Sequence, residues 1–361
     1  MTEALYETLQ ATGLSLVGVT QAKPDSAAER RYREWLRHAY QGSMRYLQAQ
    51  ADRKFCPERL LPGCRSIICV AASYYQAVSW PAATAEGRVA RYAWGRDYHR
   101  VLGDRLRKAT QQLSLRFPDH RFRACVDATA LAEKHYAAAA GLGSIAKNTL
   151  LVTARHGSWI VLGEILSTRE FTLTAPSGPS ACPEDCCACL IACPTGALHR
   201  PYVLEARRCI SYLTVEHKGT IPPKLRPAVG AWLFGCDRCQ EVCPRNADVE
   251  PASDARLTDL IAGPALDLAM LLGGLDEEEF DARLTGSPLV RIGRLGLTRN
   301  ACIVAANLRA TDLLPQLLKL AEHADAILSE HARWAVAALR SEQAPDVRSP
   351  DLRGQRGLPP D

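Results

Sequence analysis

Apolar positions at the start of the chain recur at helical spacing, with Leu5, Leu9 and Leu14 on one face, and residues 1–50 read as helices. The arginine-rich run AAERRYREWLRHAYQGSMRYL continues that pattern; Arg30, Arg31, Arg33 and Arg37 cannot all face a core, so they form a solvated face or a phosphate-contacting one. RKFCPERLLPG is a turn, by its two prolines and glycine, and SIICVAASY after it is a buried strand. A polar, proline-containing loop follows, and then a helix that starts near Asp97. FRACVDATALAEKHYAAAAGLG gives a short strand ending at Val126 or Asp127 and an alanine-rich helix stopped by Gly141 and Gly143. SIAKNTLLVTARHGSWIVLGEILST gives two more strands around a His156-Gly157 turn. Strands alternating with helices in this way describe an α/β domain.

The texture changes in the last third. ALDLAMLLGGLDEEEFDARL, RLGLTRNACIVAANL, LLPQLLKLAEH and AILSEHARWAVAAL are leucine- and alanine-rich helical stretches with short breaks. Two of them pair an arginine with an apolar helix, and the segment reads as a small HEAT-like repeat unit. The tail 343–361, rich in proline, glycine and charge, is expected to be disordered. No segment approaches eighteen uninterrupted apolar residues, so no membrane-spanning helix is expected. Met1 is followed by an amphipathic TEALYETLQATGL rather than a basic start and an apolar run, so no secretory signal is expected and the reading is cytoplasmic. A net charge of +5 permits a polyanionic partner without demanding one.

Cysteine usage changes the picture most. The stretch from Cys182 to Pro244 holds nine of the fourteen cysteines, and Cys193-Pro194 and Cys243-Pro244 repeat one phrase. Bacterial two-cluster ferredoxins use CxxCxxCxxxCP runs in which the cysteine before proline ligates the other cluster. A CxxC turn aims two sulfurs at one point, and the proline prevents the chain from returning at once. The first [4Fe-4S] cluster would then take Cys182, Cys186, Cys189 and Cys243, and the second Cys209, Cys236, Cys239 and Cys193. The first run, CPEDCCACLIACP, has three residues instead of two between Cys182 and Cys186, and Cys187 is a surplus thiol that competes for the same corner. A disulfide framework suits short secreted chains, and paired zinc knuckles do not call for CxxxCP twice. Cys56, Cys64, Cys69, Cys125 and Cys302 read as small buried apolar residues in a reducing compartment.

Three further motifs bear on chemistry. Gly141-Leu-Gly143-Ser-Ile-Ala146 fits the dinucleotide fingerprint on paper, but a helix precedes it where a strand is needed, so it is not a nicotinamide site. Asp97-Tyr98-His99 with Gly103 is close to the DxHxxG phrase that supplies a histidine to cobalt, but the glycine is one position late and His99 is not assigned. Asp127, at the carboxyl end of a strand, sits where α/β sheets place reactive groups. It also fits the N-cap of the helix that follows; the pattern favours the cap, and both roles can hold.

VDATALAEKHYAAAAGLGSIAKN, CISYLTVEHKG and GCDRCQEVCPRN, with the helical tail, resemble the epoxyqueuosine reductase family over roughly residues 1–340. The resemblance implies an α+β multidomain chain: a nitroreductase-like α/β cobalamin-binding domain over 1–172, a bacterial two-[4Fe-4S] ferredoxin-like domain over 173–250 and the HEAT-like helical domain over 251–342. It implies base-off cobalamin, two [4Fe-4S] clusters and reduction of the epoxide of epoxyqueuosine at a tRNA wobble position to an alkene, the last step of queuosine formation. By matching position, Asp127 looks like the proton donor above the cobalt, a task that needs a raised pKa from burial. Arg53, Ala146, Asn148, Leu151, Leu162, Cys236 and Asp237 look like cobalamin-lining positions. Ser211, His217 and Gly219 look like contacts with cofactor or tRNA. Trp94 stands on the cofactor side where some members have a cysteine, and Lys134 where an arginine is common. Arg291, Arg294, Arg299 and Arg309 offer a phosphate-contacting face for the anticodon arm. The remaining partner is a low-potential electron donor, and the chain is expected to be a monomer. A reductive dehalogenase would share the cofactors, but Arg30-Arg31 lacks the apolar run of an export signal; a plain iron-sulfur carrier would leave the α/β domain and helical tail without a purpose.

Overall fold

A computed structural model describes residues 3–78, 85–175 and 182–341. The tail 343–361 lies outside the described residues. The first half is built on a four-stranded sheet in the order β1-β2-β7-β4, with β1 at Leu16–Gln21, β2 at Ser66–Ser73, β4 at Phe122–Cys125 and β7 at Ile160–Ser167. All three pairings are antiparallel. The α/β expectation is corrected here to an antiparallel sheet with helices on both faces, an α+β arrangement. The first fifty residues are not all helical either: α1 (Glu3–Ala11) and α2 (Ser26–Arg37) flank β1. Val17, Val19 and Thr20 give that strand its β-branched character, and Gly18 passes so close to the carbonyl of Ala140 that no side chain fits there.

The central strand β2 alternates between two cores. Ile68 and Val70 pack with Leu5, Leu9, Leu102, Leu106 and Leu113, on the side of α1 and α3 (Tyr98–Arg116). Ile67, Cys69 and Ala71 face α4 (Glu133–Ala139) through Tyr136 and Ala137. Burial on both faces explains why β2 reads as an unbroken apolar run. The helix does start near Asp97, as the sequence suggested, and Asp97 caps α3 by accepting from the His99 backbone N–H at 3.0 Å.

A second sheet ties the chain together. β3 (Glu86–Val89) lies between β8 (Trp232–Phe234) and β9 (Ala265–Asp267), so one strand comes from each of the three segments expected to be domains. The largest core continues this: Val89, Ala93 and Trp94 pack with Leu233, Phe234, Leu297, Cys302 and Leu328. Trp94 is fully buried there, its indole N–H donating to the Val89 carbonyl at 2.7 Å. The cofactor-facing expectation for Trp94 is therefore corrected: its ring is interior packing.

Arg299 departs furthest from expectation. It lies on α5 (Gly293–Asn307) and is 2% exposed. Its guanidinium donates to the carbonyls of Leu213 (2.9 Å), His217 (2.7 Å) and Gly219 (2.8 Å). The neighbouring Asn300 donates to Thr214 (2.9 Å) and Leu233 (3.0 Å). Burial lowers the Arg299 pKa to about 10, which leaves it cationic at neutral pH. A phosphate cannot reach this group, because the guanidinium is buried and its five N–H donors are already spent, three on carbonyls of the cysteine segment and two on the Asn300 side-chain oxygen. Arg299→Leu strands three buried acceptors and should cost at least about 3 kcal/mol. The check is the thermal midpoint of the anaerobic protein, expected to fall by several degrees; an unchanged midpoint would contradict the network.

Candidate functional site

The cysteines gather as two sets. Cys189 lies in the field of Cys182, Cys186 and Cys243, and Cys243 in that of Cys182 and Cys186. Cys236 and Cys239 both sense Cys209, and Cys209 and Cys239 both sense Cys193. Each cysteine-proline thiol thus joins the set of the other run, and Cys239 also senses Cys189, so the sets adjoin. Cys187 stands instead at the start of the short helix Ala188–Ile191. Backbone N–H groups aim at the sulfurs: Lys147 at Cys182 (3.3 Å), Ser211 and Tyr212 at Cys209, Arg238 at Cys236 and Arg245 at Cys243. Such donors favour thiolates and tune whatever the thiolates bind.

A finger of the first half reaches these sets. β5 (Ser144–Ile145) and β6 (Leu151–Val152) form a hairpin whose loop is closed by Ala146 N–H to Leu150 O at 2.8 Å. Thr149 in that loop has φ +70°, an uncommon conformation for a β-branched residue. Asn148, buried, donates to the Cys239 carbonyl at 3.3 Å. Ala146, Asn148 and Leu151 therefore belong to one hairpin, and Leu162 projects from β7 into the core on the α4 side of the sheet. Asp237, next to Cys236, is buried and accepts from the Arg91 backbone N–H at 2.7 Å; burial pushes its carboxyl up to about 7. Arg53 is exposed on the turn Ala51–Lys54.

Beside the finger lies a charged cluster. Asp127 has φ +33° and a side chain 48% exposed. Its Oδ2 accepts from the Tyr98 hydroxyl at 2.7 Å and meets His99 Nε2 at 2.7 Å. His99 Nδ1 is 2.9 Å from Asp97 Oδ1, and Arg291 Nη2 is 3.1 Å from the same oxygen while touching His99. The Asp127 backbone N–H donates to Glu133. Partial burial would raise Asp97, but hydrogen bonds from His99 and the Arg291 charge hold it at about 2. The same contest at Asp127 ends below the ordinary carboxylate value, through His99 and Tyr98. At His99 burial works against the charge, but Asp127 and Asp97 raise its pKa above 6.5. Glu133 is pushed up to about 8 by burial and the Asp127 charge. Glu164 on β7 is fully buried, lacks a hydrogen-bond partner for either oxygen among the described residues, and is raised well above the ordinary range by burial and Glu133.

Several expectations change. Asp127 is no helix cap: α4 begins at Glu133, after Ala132. Its pKa is lowered, not raised, because His99 and Tyr98 stabilise the anion. Of the four arginines of the expected face Arg299 is interior; Arg291 serves the Asp97–His99 pair, Arg294 Nε meets Glu277 at 3.0 Å, and Arg309, exposed, donates to the carbonyls of Ala338 and Ser341. His217 lies 3.0 Å from the Thr220 carbonyl, and the carbonyls of His217 and Gly219 accept from Arg299. Lys134 donates to the Thr149 carbonyl at 2.8 Å. Tyr98, Glu133 and Glu164 had no expected role, and His99 was set aside as a cobalt ligand without its place beside Asp127 being foreseen. The signals were the DYH phrase at a helix start and a lone acid in the apolar run IVLGEILS.

Because the folded His99 pKa lies above its unfolded value, its pairing stabilises the fold fully below about pH 6.5 and is lost as pH rises through the raised value. In Asp127→Asn the His99 titration followed by NMR in the oxidised protein should move to lower pH. No movement would show that the pair does not hold the proton.

Two family models match: that of epoxyqueuosine reductase QueG over residues 54–128 and the 4Fe-4S double cluster binding domain over residues 182–246. The epoxyqueuosine reductase of Pseudomonas aeruginosa is 37% identical over 90% of this chain and 90% of its own length. That of Escherichia coli K12 is 34% identical, covering 90% and 86%. A crystal structure of epoxyqueuosine reductase with an epoxyqueuosine-modified tRNA-Tyr stem loop superposes with a TM-score of 0.86 at 29% identity, covering 93% of this chain and 89% of that one. The Bacillus subtilis enzyme, solved with an aspartate catalytic loop swung out of its active site, gives 0.83 at 28% identity, covering 93% and 90%. By descent and by fold, this chain belongs to the epoxyqueuosine reductase family.

Proposed function

We propose that this chain reduces epoxyqueuosine in tRNA to queuosine, taking two electrons and two protons and releasing the epoxide oxygen as water. The observation that carries the reading is the pair of interlocked thiol sets abutting, through Asn148 and Asp237, the segment that bears the Asp127–His99 cluster. Each set would hold one [4Fe-4S] cluster, the first on Cys182, Cys186, Cys189 and Cys243, the second on Cys193, Cys209, Cys236 and Cys239. One-electron centres at low potential suit a two-electron reduction delivered in two steps.

The residues also fit a corrin. Leu151 and Leu162 are apolar, and Asn148 and Asp237 beside the second thiol set are polar, a mixed lining that suits a ring carrying amide side chains. Ala146, Asn148, Leu151, Leu162, Ser211, Cys236, Asp237 and Arg53 would hold base-off cobalamin; Trp94 is left out because its ring packs in the core shared with the C-terminal helices and its N–H is spent on Val89. Cobalamin supplies a strongly reducing cobalt that no side chain offers. The chain itself manages protons. His99, bonded between two carboxylates that raise its pKa against its burial, hands a proton through Asp127, whose open face meets the substrate oxygen. Glu133, with a carboxyl near 8, retains the second at neutral pH.

The modified nucleotide would unstack from the anticodon arm to reach Asp127. The working unit is a cytoplasmic monomer fed by a low-potential donor. No described helix is long and apolar enough to cross a membrane. The segments 1–172, 173–250 and 251–342 act as cofactor, cluster and helical parts joined by the shared sheet.

The direct test incubates anaerobic, reduced protein with an epoxyqueuosine stem loop and follows the nucleoside by mass. Conversion is expected only with both cobalamin and reductant; an unchanged nucleoside in their presence would contradict the proposal. Asp127→Asn should keep its iron yet lose about 10²–10⁴-fold in turnover.

A further inference from the structure

Lys147 spends every polar group it has on the cysteine segment. Its backbone N–H points at Cys182 Sγ (3.3 Å), and its carbonyl accepts from the Tyr202 N–H (2.9 Å). Its ammonium donates to the carbonyls of Pro183 (3.1 Å), Glu184 (2.6 Å) and Cys186 (2.9 Å). Those three carbonyls belong to the loop made wide by the extra residue between Cys182 and Cys186. An ammonium has three donors and no acceptor, so it matches three convergent carbonyls in number and in sign. A loop longer by one residue has more conformations to lose, and a cation that gathers its carbonyls offsets that loss.

We propose that Lys147 is the positioning residue that seats the widened loop, so that Cys182 and not the adjacent thiol Cys187 completes the first cluster. This rests on the two-cluster reading. Asn148, the next residue, holds the second run through the Cys239 carbonyl, so one hairpin tip fixes both runs. The competing thiol belongs to the N-cap residue of the Ala188–Ile191 helix and makes no side-chain capping bond there.

The test uses the full-length protein reconstituted anaerobically, with iron and acid-labile sulfide counted and EPR spectra recorded. Wild type should hold about eight iron atoms. Cys187→Ser should match it. Cys182→Ser should lose or degrade one cluster only. Lys147→Met should lower iron content, or give a three-iron signal from the first cluster on brief exposure to air, and Lys147→Arg should restore much of the loss. Lys147→Met with full iron and an unchanged spectrum overturns the proposal, as does loss of the first cluster in Cys187→Ser with retention in Cys182→Ser. Should Lys147→Met not fold, Lys147→Gln takes its place and is read in the same way, full iron with an unchanged spectrum again overturning the proposal. Wild type with about four iron atoms or fewer would instead overturn the two-cluster reading, and the proposal with it.

Discussion

The exchange of one cysteine between two runs is the constraint on which the rest of this molecule depends. Cys193 sits with Cys209, Cys236 and Cys239, while Cys243 sits with Cys182, Cys186 and Cys189. In the proposed ligand sets neither run is complete alone, so the chain between them must fold back on itself. That chain brings Cys209 and the helix that follows it, Ile210–Val215, against β8. The segment before the cysteines and the helices after them are built around this knot of sulfur.

Both attachments are polar and specific. From the front, the β5–β6 hairpin supplies Lys147 to one run and Asn148 to the other, and Arg91 offers its backbone N–H to Asp237. From the back, Arg299 and Asn300 gather five carbonyls from the cysteine segment and β8. Arg226, fully buried, pairs with both oxygens of Glu330 at 2.7 and 2.8 Å. Buried charges of this kind contribute little net stability, but they leave few alternative ways to dock the parts. Geometry between electron carriers and reacting group needs that kind of uniqueness.

The charge balance at Asp127 follows from the same rigidity. Asp97, fixed as the cap of α3, aims His99 at Asp127, and Arg291 from the far end of the chain closes the group. Legibility in the sequence tracked distance along the chain. Thiol sets announce themselves because ligands two or three residues apart must converge, and the strand β2 because burial on both faces makes an unbroken apolar run. β1 was hidden because the leucines of the first fifteen residues continue a helical rhythm up to its edge. Arg299 looked like a surface charge because the carbonyls it serves are eighty residues or more away. The depressed pKa of Asp127 depends on His99 and Tyr98, nearly thirty residues upstream, and no local pattern reports it. Antiparallel pairing of alternating strands was likewise a matter of long-range register.

The most direct measurement of the shared-cysteine arrangement is EPR spectroscopy of the protein at graded reduction. Two clusters held by the proposed exchange of ligands would lie close enough for their spins to interact. The fully reduced protein should therefore show a broadened, split spectrum that simplifies when only one cluster is reduced. A fully reduced spectrum that is the plain sum of two independent signals would contradict it.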